Sequence, residues 1–377
     1  MPAVLRTFTL ARNDLAAAMA EAVKIVPRNG TIPIVGNVLL AKTGDACRIE
    51  ATDLDLTVRA VIEADGADAA FTVDAGRLND IVRKLPDGAE IAIGLDAEEK
   101  HATFQCGRSR FSLLVLPARD FPEGSAADAA CRFTISGKAL AAMIAGTGFA
   151  VAVKDTRYYL DGLYLHRTTV HGADRLTAVA TDGHRLALAR MPLPDGAADM
   201  PAVIVPRITV ATMARLAEAA GEIAVAVSDR RIEFSAGNLE FASKLIDGTY
   251  PDYMRVVPQG NDKHALADRA ALAAAADRVA TIATERGRAL RLSFEPASVI
   301  RLSAKNADTG EAEDEVPAEY DGDGLDIGFN ARYLAEALAR ITGDKVDIAL
   351  ADPGSPTLFT APGNDDHLIV LMPMRVS

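Results

Sequence analysis

The chain of 377 residues reads as an α+β protein of three tandem domains, each a doubled strand–helix–strand–strand–strand unit. Three observations predict this. A short pattern, apolar at positions 0 and 2 and again at 7, recurs with starts at 8, 71, 133, 203, 265 and 327. The successive gaps are 63, 62, 70, 62 and 62, so six units account for almost the whole chain. Odd and even units also differ: in the second, fourth and sixth the helix runs into a short turn, whereas the first, third and fifth have longer connections. The repeat is therefore a pair of units, occurring three times.

Each unit opens on a period-2 edge: Phe8 and Leu10, Phe71 and Val73, Phe133 and Ile135, Val203 and Val205, Ala265 and Ala267, Ile327 and Phe329. A helical stretch follows, as in LAAAMAEAVKIV, where Leu15, Met19 and Val23 share one face. Asp74, Ser136 and Asn330 stand just before their helices, where short polar side chains cap open backbone N–H groups. A Gly-containing turn (PDGAE, AAGE, TGDK) then leads into alternating strand such as EIAIGL, EIAVAV and KVDIAL. Alternating segments close the units, among them ATFQCGRSRFSLLVL, RIEFSAGNLEFASKLI and LFTAPGNDDHLIVLMP. Turn-rich stretches at 119–130 and 258–264 mark domains at 1–126, 127–257 and 258–377. One helix on one small sheet cannot bury its apolar face alone, which is the physical reason for the doublet. The acidic run at 310–323 reads as a solvated loop between strands, and DGDGLD at 321–326 as a turn.

Composition narrows the function. The net charge of −12 argues against a protein that coats nucleic acid indiscriminately. Cys47, Cys106 and Cys131 lie far apart without a CxxC, which points to a reducing, cytoplasmic compartment and no disulfide scaffold. The start MPAVLRTFTLARND has no apolar signal core, and no run approaches 18 apolar residues, so a soluble intracellular protein is expected. Gly137-Lys138-Ala139 lacks the surroundings of a phosphate-binding loop, and GxGxxG, HExxH and GxSxG motifs are missing. The six histidines have no metal-ligand spacing. No nucleophile, base and oxyanion site assemble, so the chain is expected to be a non-enzyme without metal or cofactor.

The charge is unevenly placed. The six helix segments (11–24, 75–84, 137–154, 207–220, 268–286 and 331–341) together carry +6, which leaves −18 on the remainder. Helices sharing one face would give an acidic protein a mildly basic surface, suited to loose contact with phosphates. Solvated helix faces rich in Arg and Lys account for the same count equally well.

Three tandem doubled units with basic helices closely resemble the bacterial DNA polymerase III beta subunits, the sliding clamps. The strings TIPIVGN (31–37), LPARDFP (116–122), RYYLDGLYLH (157–166), ATDGHRLALA (180–189), YPDYMRVVP (250–258), GFNARYL (328–334) and LMPMRV (371–376) carry the resemblance along nearly the full length. It implies a head-to-tail homodimeric ring whose helices surround duplex DNA without reading its sequence. It also implies partners: the replicative polymerase alpha subunit, the clamp loader and other proteins bearing a clamp-binding motif, at the replication fork of the nucleoid and away from membranes. The family's peptide pocket carries over onto Leu160, Thr181, Gly183, His184, Arg185, Leu186, Pro251, Arg255, Val256, Asn330, Tyr333, Val370, Met372, Pro373, Met374 and Arg375. There Met372 and Met374 suit a cleft that accepts different peptides, and Arg185, Arg255 and Arg375 offer a charged rim and donors to peptide carbonyls. Arg28 matches a basic loop position near the hole, Lys154 stands where the family carries a polar amide and adds a charge there, and Arg77, Lys84 and Arg207 join them as DNA-facing candidates from helix charge. Phe111 and Leu113 on one edge and Ile282 on the opposite one are the dimer-interface candidates. An array of three domains that binds peptides without encircling DNA would share the pocket but lack the closed dimer and the basic face.

Overall fold

The computed structural model describes residues 4–27, 32–122, 130–283, 289–296, 298–306 and 309–375. The first unit is β1 (Val4–Ala11), α1 (Arg12–Ile25), β2 (Asn37–Thr43), β3 (Ala46–Thr52) and β4 (Leu56–Gly66). The second is β5 (Ala69–Asp74), α2 (Ala75–Lys84), β6 (Glu90–Asp96), β7 (His101–Cys106) and β8 (Ser109–Pro117). The third is β9 (Cys131–Ser136), α3 (Gly137–Thr147), β10 (Gly162–Val170), β11 (Ala173–Thr181) and β12 (Arg185–Pro192). The fourth is β13 (Val203–Pro206), α4 (Arg207–Ala219), β14 (Glu222–Val227), β15 (Arg231–Ala236) and β16 (Leu239–Lys244). The fifth is β17 (Lys263–Asp268), α5 (Arg269–Ala280), β18 (Ala289–Glu295), β19 (Val299–Asn306) and β20 (Gly310–Tyr320). The sixth is β21 (Leu325–Asn330), α6 (Ala331–Arg340), β22 (Lys345–Leu350), β23 (Thr357–Ala361) and β24 (Asn364–Leu371). All six follow the expected order, and in each the first strand runs straight into its helix.

The chain forms two compact bodies, one of residues up to Ile135 with Ala220–Lys244, the other of Ser136–Ala219 with Leu245 onward. In the first, strands run β1-β6-β7-β8-β5-β2-β3-β4-β16-β15-β14-β9, and β1 also pairs with β4. Closure by β1 needs Gly66: at φ +113°, a Cβ there would lie 2.5 Å from the Thr7 carbonyl oxygen. In the second body the order is β13-β10-β11-β12-β24-β23-β22-β17-β20-β19-β18-β21.

The register explains the doublet. Strand β1 of the first unit pairs with β6 of the second, while β5 of the second pairs with β2 of the first. Likewise β17 pairs with β22 and β21 with β18. Each unit thus lends its leading strand to its neighbour's sheet and is incomplete alone. Paired helices cover the sheets: α1 against α2, α3 against α4, α5 against α6. Leu15, Met19, Phe8, Phe71 and Phe104 are fully buried in the first body, as are Phe294, Phe329 and Phe359 in the second. Burying each such side chain contributes roughly 2 kcal/mol.

Three local expectations change. Residues 310–320 are strand β20, not loop: Val316 and Ala318 point inward and the acids outward, with Arg301 and Lys305 of β19 opposite Glu315 and Glu311. Cross-strand ion pairs, Arg301–Glu315 at 2.9 Å and Lys305–Glu311 at 3.6 Å, offset the crowding of acids. Ser136 makes no cap hydrogen bond, whereas Asp74 accepts from Arg77 N and Asn330 from Arg332 N and Tyr333 N. Asp268, not singled out in the sequence, caps α5 through Ala271 N at 2.7 Å. Helix α3 ends at Thr147, so Lys154 lies in the following connection with φ +54°.

Two strands inside the sheet orders, β8 and β20, are each left open over part of their length among the described residues. Strand β5 covers only the Val115–Pro117 end of β8, which leaves Ser109–Leu114 with β7 alone. Strand β17 covers only Ala318–Tyr320 of β20, which leaves Gly310–Pro317 with β19 alone.

Candidate functional site

The site is built around the turn between β11 and β12. Thr181 Oγ1 donates to the Arg185 carbonyl at 2.7 Å and accepts from Gly183 N at 3.1 Å, while Asp182 Oδ1 accepts from His184 N at 2.9 Å and Arg185 N at 3.1 Å. Gly183 sits at φ +86°, and a Cβ there would lie 2.9 Å from the Arg157 guanidinium. That guanidinium donates to the Asp182 carbonyl at 3.0 Å and to Asp155 at 2.8 Å, holding the Asp155 carboxyl far below the usual carboxylate range. The string ATDGHRL therefore encodes a rigid turn, with Gly at the left-handed position where a guanidinium crosses the backbone.

Arg185 follows this turn and is 7% exposed. It donates to Asp182 at 3.0 Å, to the Phe149 carbonyl at 2.7 Å and to Glu336, and its guanidinium lies 4.4 Å from the Tyr333 ring centre. Glu336 also accepts from Arg332 at 2.9 Å. Burial works to raise the Glu336 pKa, but the hydrogen bonds from Arg185 and Arg332 hold it below its ordinary value. A guanidinium so fully engaged is no rim donor to a peptide. Arg185 positions Tyr333 and the first turn of α6, which Asn330 caps. The exposed ring of His184 stacks near Tyr333, centroids 6.2 Å apart.

Beneath this rim lies one apolar cluster that holds Leu160, Leu186 and Val370 with Tyr250, Tyr253 and Leu368. Tyr164 stacks on Tyr250 at 4.6 Å, and the His166 Nε2 lies 3.0 Å from the Tyr253 hydroxyl. Burial, assisted by Arg190, pushes the His166 pKa down to about 4, so the ring is neutral near pH 7. The chain after β24 forms the lip: Met372 N donates to the His184 carbonyl at 2.9 Å and Met374 N to the Gly328 carbonyl at 2.7 Å. Met372, Met374, Val256 and Met254 are 36%, 37%, 42% and 44% exposed, an apolar ledge over a packed floor. Pro251 and Arg375 are exposed, Pro373 is half-buried, and Arg255 pairs with Asp252 at 2.9 Å on the rim. Sequence reasoning missed Asp182, Glu336 and Arg157. Asp182 sits inside the recognised string and bonds its neighbours His184 and Arg185, whereas Glu336, one turn past Tyr333, and Arg157 depend on partners distant in sequence.

Other candidates fall elsewhere. Arg77, Lys84 and Arg207 are exposed on α2 and α4. Arg28 lies outside the described residues. Phe111 and Leu113 are half-buried on the open part of β8, beside the exposed Arg108 and Arg110. Ile282 is half-buried two residues past α5, its carbonyl accepting from Thr309 Oγ1 at 2.9 Å. Among the described residues no group of three or more His, Cys, Asp and Glu could hold a metal, and no helix is long and apolar enough to cross a membrane.

Three doubled domains with a firm turn, a buried arginine clamp and a methionine ledge define a clamp-type binding protein. Family models for the N-terminal, central and C-terminal domains of the DNA polymerase III beta subunit match residues 6–125, 134–252 and 254–375. The beta sliding clamp of Caulobacter vibrioides is 44% identical over 373 residues, 98% of this chain and 99% of that protein. The crystal structure of the Caulobacter crescentus clamp with bound polyethylene glycol is 43% identical at a TM-score of 0.95, covering 98% of this chain and 100% of that one. The clamp from Bartonella birtlesii bound to griselimycin is 39% identical at a TM-score of 0.93, with coverage of 98% and 100%. The chain belongs to the DNA polymerase III beta-subunit family, the sliding clamps, which confer processivity on DNA replication and are not catalysts.

Proposed function

We propose that two copies of this chain close head to tail into a ring around duplex DNA and tether the replicative polymerase alpha subunit, the clamp loader and other motif-bearing proteins at the cleft above. The observation that carries the ring is the pair of open strand edges. Ser109–Leu114 of β8 carries Phe111, Leu113 and Leu114, the last 74% exposed, with Arg108 and Arg110 beside them. Gly310–Pro317 of β20 carries Glu311, Glu313 and Glu315. An exposed apolar edge is a hazard in a monomer and an asset where a complementary edge covers it. Opposite charge on the two edges favours β8 of one copy meeting β20 of the other over like edges meeting. Ile282, near the base of β20 through Thr309, would join that contact.

Domains 1–126, 127–257 and 258–377 would be the three clamp domains of each copy, supported by family matches at 6–125, 134–252 and 254–375. Arg28, Arg77, Lys84, Lys154 and Arg207 would face the DNA. A topological link needs no tight contact, which suits weak positive charge on an otherwise acidic protein of net charge −12. Leu160, Leu186 and Val370 would floor the peptide cleft, Met372 and Met374 would adapt to different peptides, and Arg255 and Arg375 would supply the charged rim. The nucleoid of the cytoplasm is the place of action this implies.

Retention on DNA of different topology tests the reading. The protein is loaded by a loader and ATP onto nicked circular DNA, free protein is removed, and the circle is cut once. A sliding ring stays on the circle and leaves rapidly after the cut. Equal retention on both, falling with salt, indicates ordinary electrostatic binding, and no retention beside an active loader control indicates a scaffold that never encircles DNA.

A further inference from the structure

A cavity of about 430 Å³ opens where α3 and α6 meet the β12–β24 seam in the second body. Its floor is apolar and low: Ala142, Met143 and Gly146 of α3, Ala189 and Met191 of β12. Gly146 allows the closeness of α3 to β24, because a Cβ there would lie 2.9 Å from His367 Nε2, which itself sits 3.1 Å from the Gly146 carbonyl.

Two guanidinium groups stand on the wall, Arg190 and Arg340. Arg190 donates to the Asp365 carbonyl at 2.9 Å while its buried Nε has no partner. Arg340 is exposed, 6.0 Å from the Phe149 ring centre. Neither has a carboxylate within ion-pair distance among the described residues. Asp366, the acid on the wall, is held by Arg175 at 3.6 Å. An apolar shelf of small side chains beside two unneutralised cations is complementary to a sugar–phosphate unit. The C–H face of deoxyribose suits the Ala and Met floor, and a phosphate suits a guanidinium donor on the wall.

We propose that this cavity is a seat for the sugar–phosphate backbone of duplex DNA, contacted without regard to sequence. The inference rests on the ring reading, in which α3 and α6 face the DNA. It goes further in assigning one defined seat to a contact that diffuse helix charge would leave unlocalised.

The test is equilibrium binding of the intact protein to a short fluorescent duplex across a salt series. Three variants are compared with the native chain: Arg190→Gln with Arg340→Ala, Ala142→Leu, and Arg230→Ala as an exposed cation outside the DNA-facing set. Ala142 is exposed on its helix, so leucine there narrows the cavity with no change of charge and no demand on the core. The seat predicts that the double variant lowers the slope of log K against log salt by about 1 to 2, since each neutralised phosphate contributes about 0.9. It also predicts that Ala142→Leu weakens binding several-fold. Native binding by Ala142→Leu overturns the proposal, as does a slope that the double variant leaves unchanged. A per-arginine loss no greater than that of Arg230→Ala would do the same, reducing the effect to a general field. Displacement of the duplex by a glutamate-rich peptide from the native chain but not from the double variant, with Ala142→Leu still binding DNA, would reassign the cavity to an acidic protein partner. Topological retention of the native chain separates the two readings: its loss sinks the ring, whereas retention with an unchanged slope sinks only the seat.

Discussion

One turn occurs twice in this chain, and the comparison isolates what a single residue does. At Thr52–Leu56, Thr52 Oγ1 donates to the Leu56 carbonyl at 3.1 Å and accepts from Leu54 N at 3.0 Å, while Asp53 Oδ1 accepts from Asp55 N and Leu56 N. This is the bonding of Thr181–Arg185, and Leu54 at φ +81° occupies the place of Gly183 at φ +86°. A non-glycine residue there costs about 1–2 kcal/mol, and glycine returns about 0.4–1 kcal/mol of that through the freer unfolded chain. Leu54 is 41% exposed, so little burial is at stake. Leu54→Gly is therefore expected to be neutral to stabilising by about 1 kcal/mol in urea unfolding. Gly183→Ala meets the same backbone cost and also displaces the Arg157 guanidinium, so a loss of about 1–3 kcal/mol is expected, with weaker peptide binding. Effects of equal size and opposite sign would show that the crossing of Arg157 contributes nothing.

At the scale of elements, the segment after β24 carries the clearest consequence. The β24 ladder ends at Leu371, and Met372 N already bonds the turn through the His184 carbonyl. Deleting Pro373–Ser377 removes Met374, its bond to Gly328 and the Arg375 rim, but no ladder pair. Binding of a polymerase-derived peptide, followed by fluorescence anisotropy, should fall at least about tenfold, as expected for losing an apolar anchor, while sedimentation still gives dimers. Dissociation into monomers would show that the tail is structural instead. The same scale shows what could be read from residues alone. Six strand-to-helix junctions were legible because hydrophobic period switches from 2 to 3.6 at a fixed spacing, and Phe8, Phe71 and Phe329 all prove fully buried. Strand β20 was hidden because acids at 311, 313, 314 and 315 outweighed the alternation of Ala312, Val316 and Ala318, and the cations that balance them sit on a neighbouring strand. Arg185 looked like a rim donor because its acceptors Glu336 and the Phe149 carbonyl are 151 and 36 residues away. The exchange of leading strands within a doublet leaves no local mark at all.

For the whole molecule, the head-to-tail reading makes a prediction that an isologous dimer does not. Each joint of such a ring uses the β8 edge of one copy and the β20 side of the other, so one substitution harms both joints of a homodimer. A charge placed among desolvated apolar residues without a partner is costly, and Phe111→Glu or Ile282→Lys alone should each give monomers in sedimentation. Mixed in equal amounts, the two variants have a way out. Pairing Phe111→Glu with Ile282→Lys gathers both substitutions in one joint, where their charges are opposite, and leaves the other joint wholly native. Dimers should then return, in amounts that rise with protein concentration and contain one copy of each variant. If like edges met instead, each variant alone would keep one native joint, β20 on β20 for Phe111→Glu and β8 on β8 for Ile282→Lys, and mixing the two would restore nothing. Each variant must keep the circular dichroism of the native chain for the comparison to stand. The far edge positions of Phe111 and Ile282 in the sequence, 171 residues apart, then become a measured property of the assembly: which end of one chain closes on which end of the next.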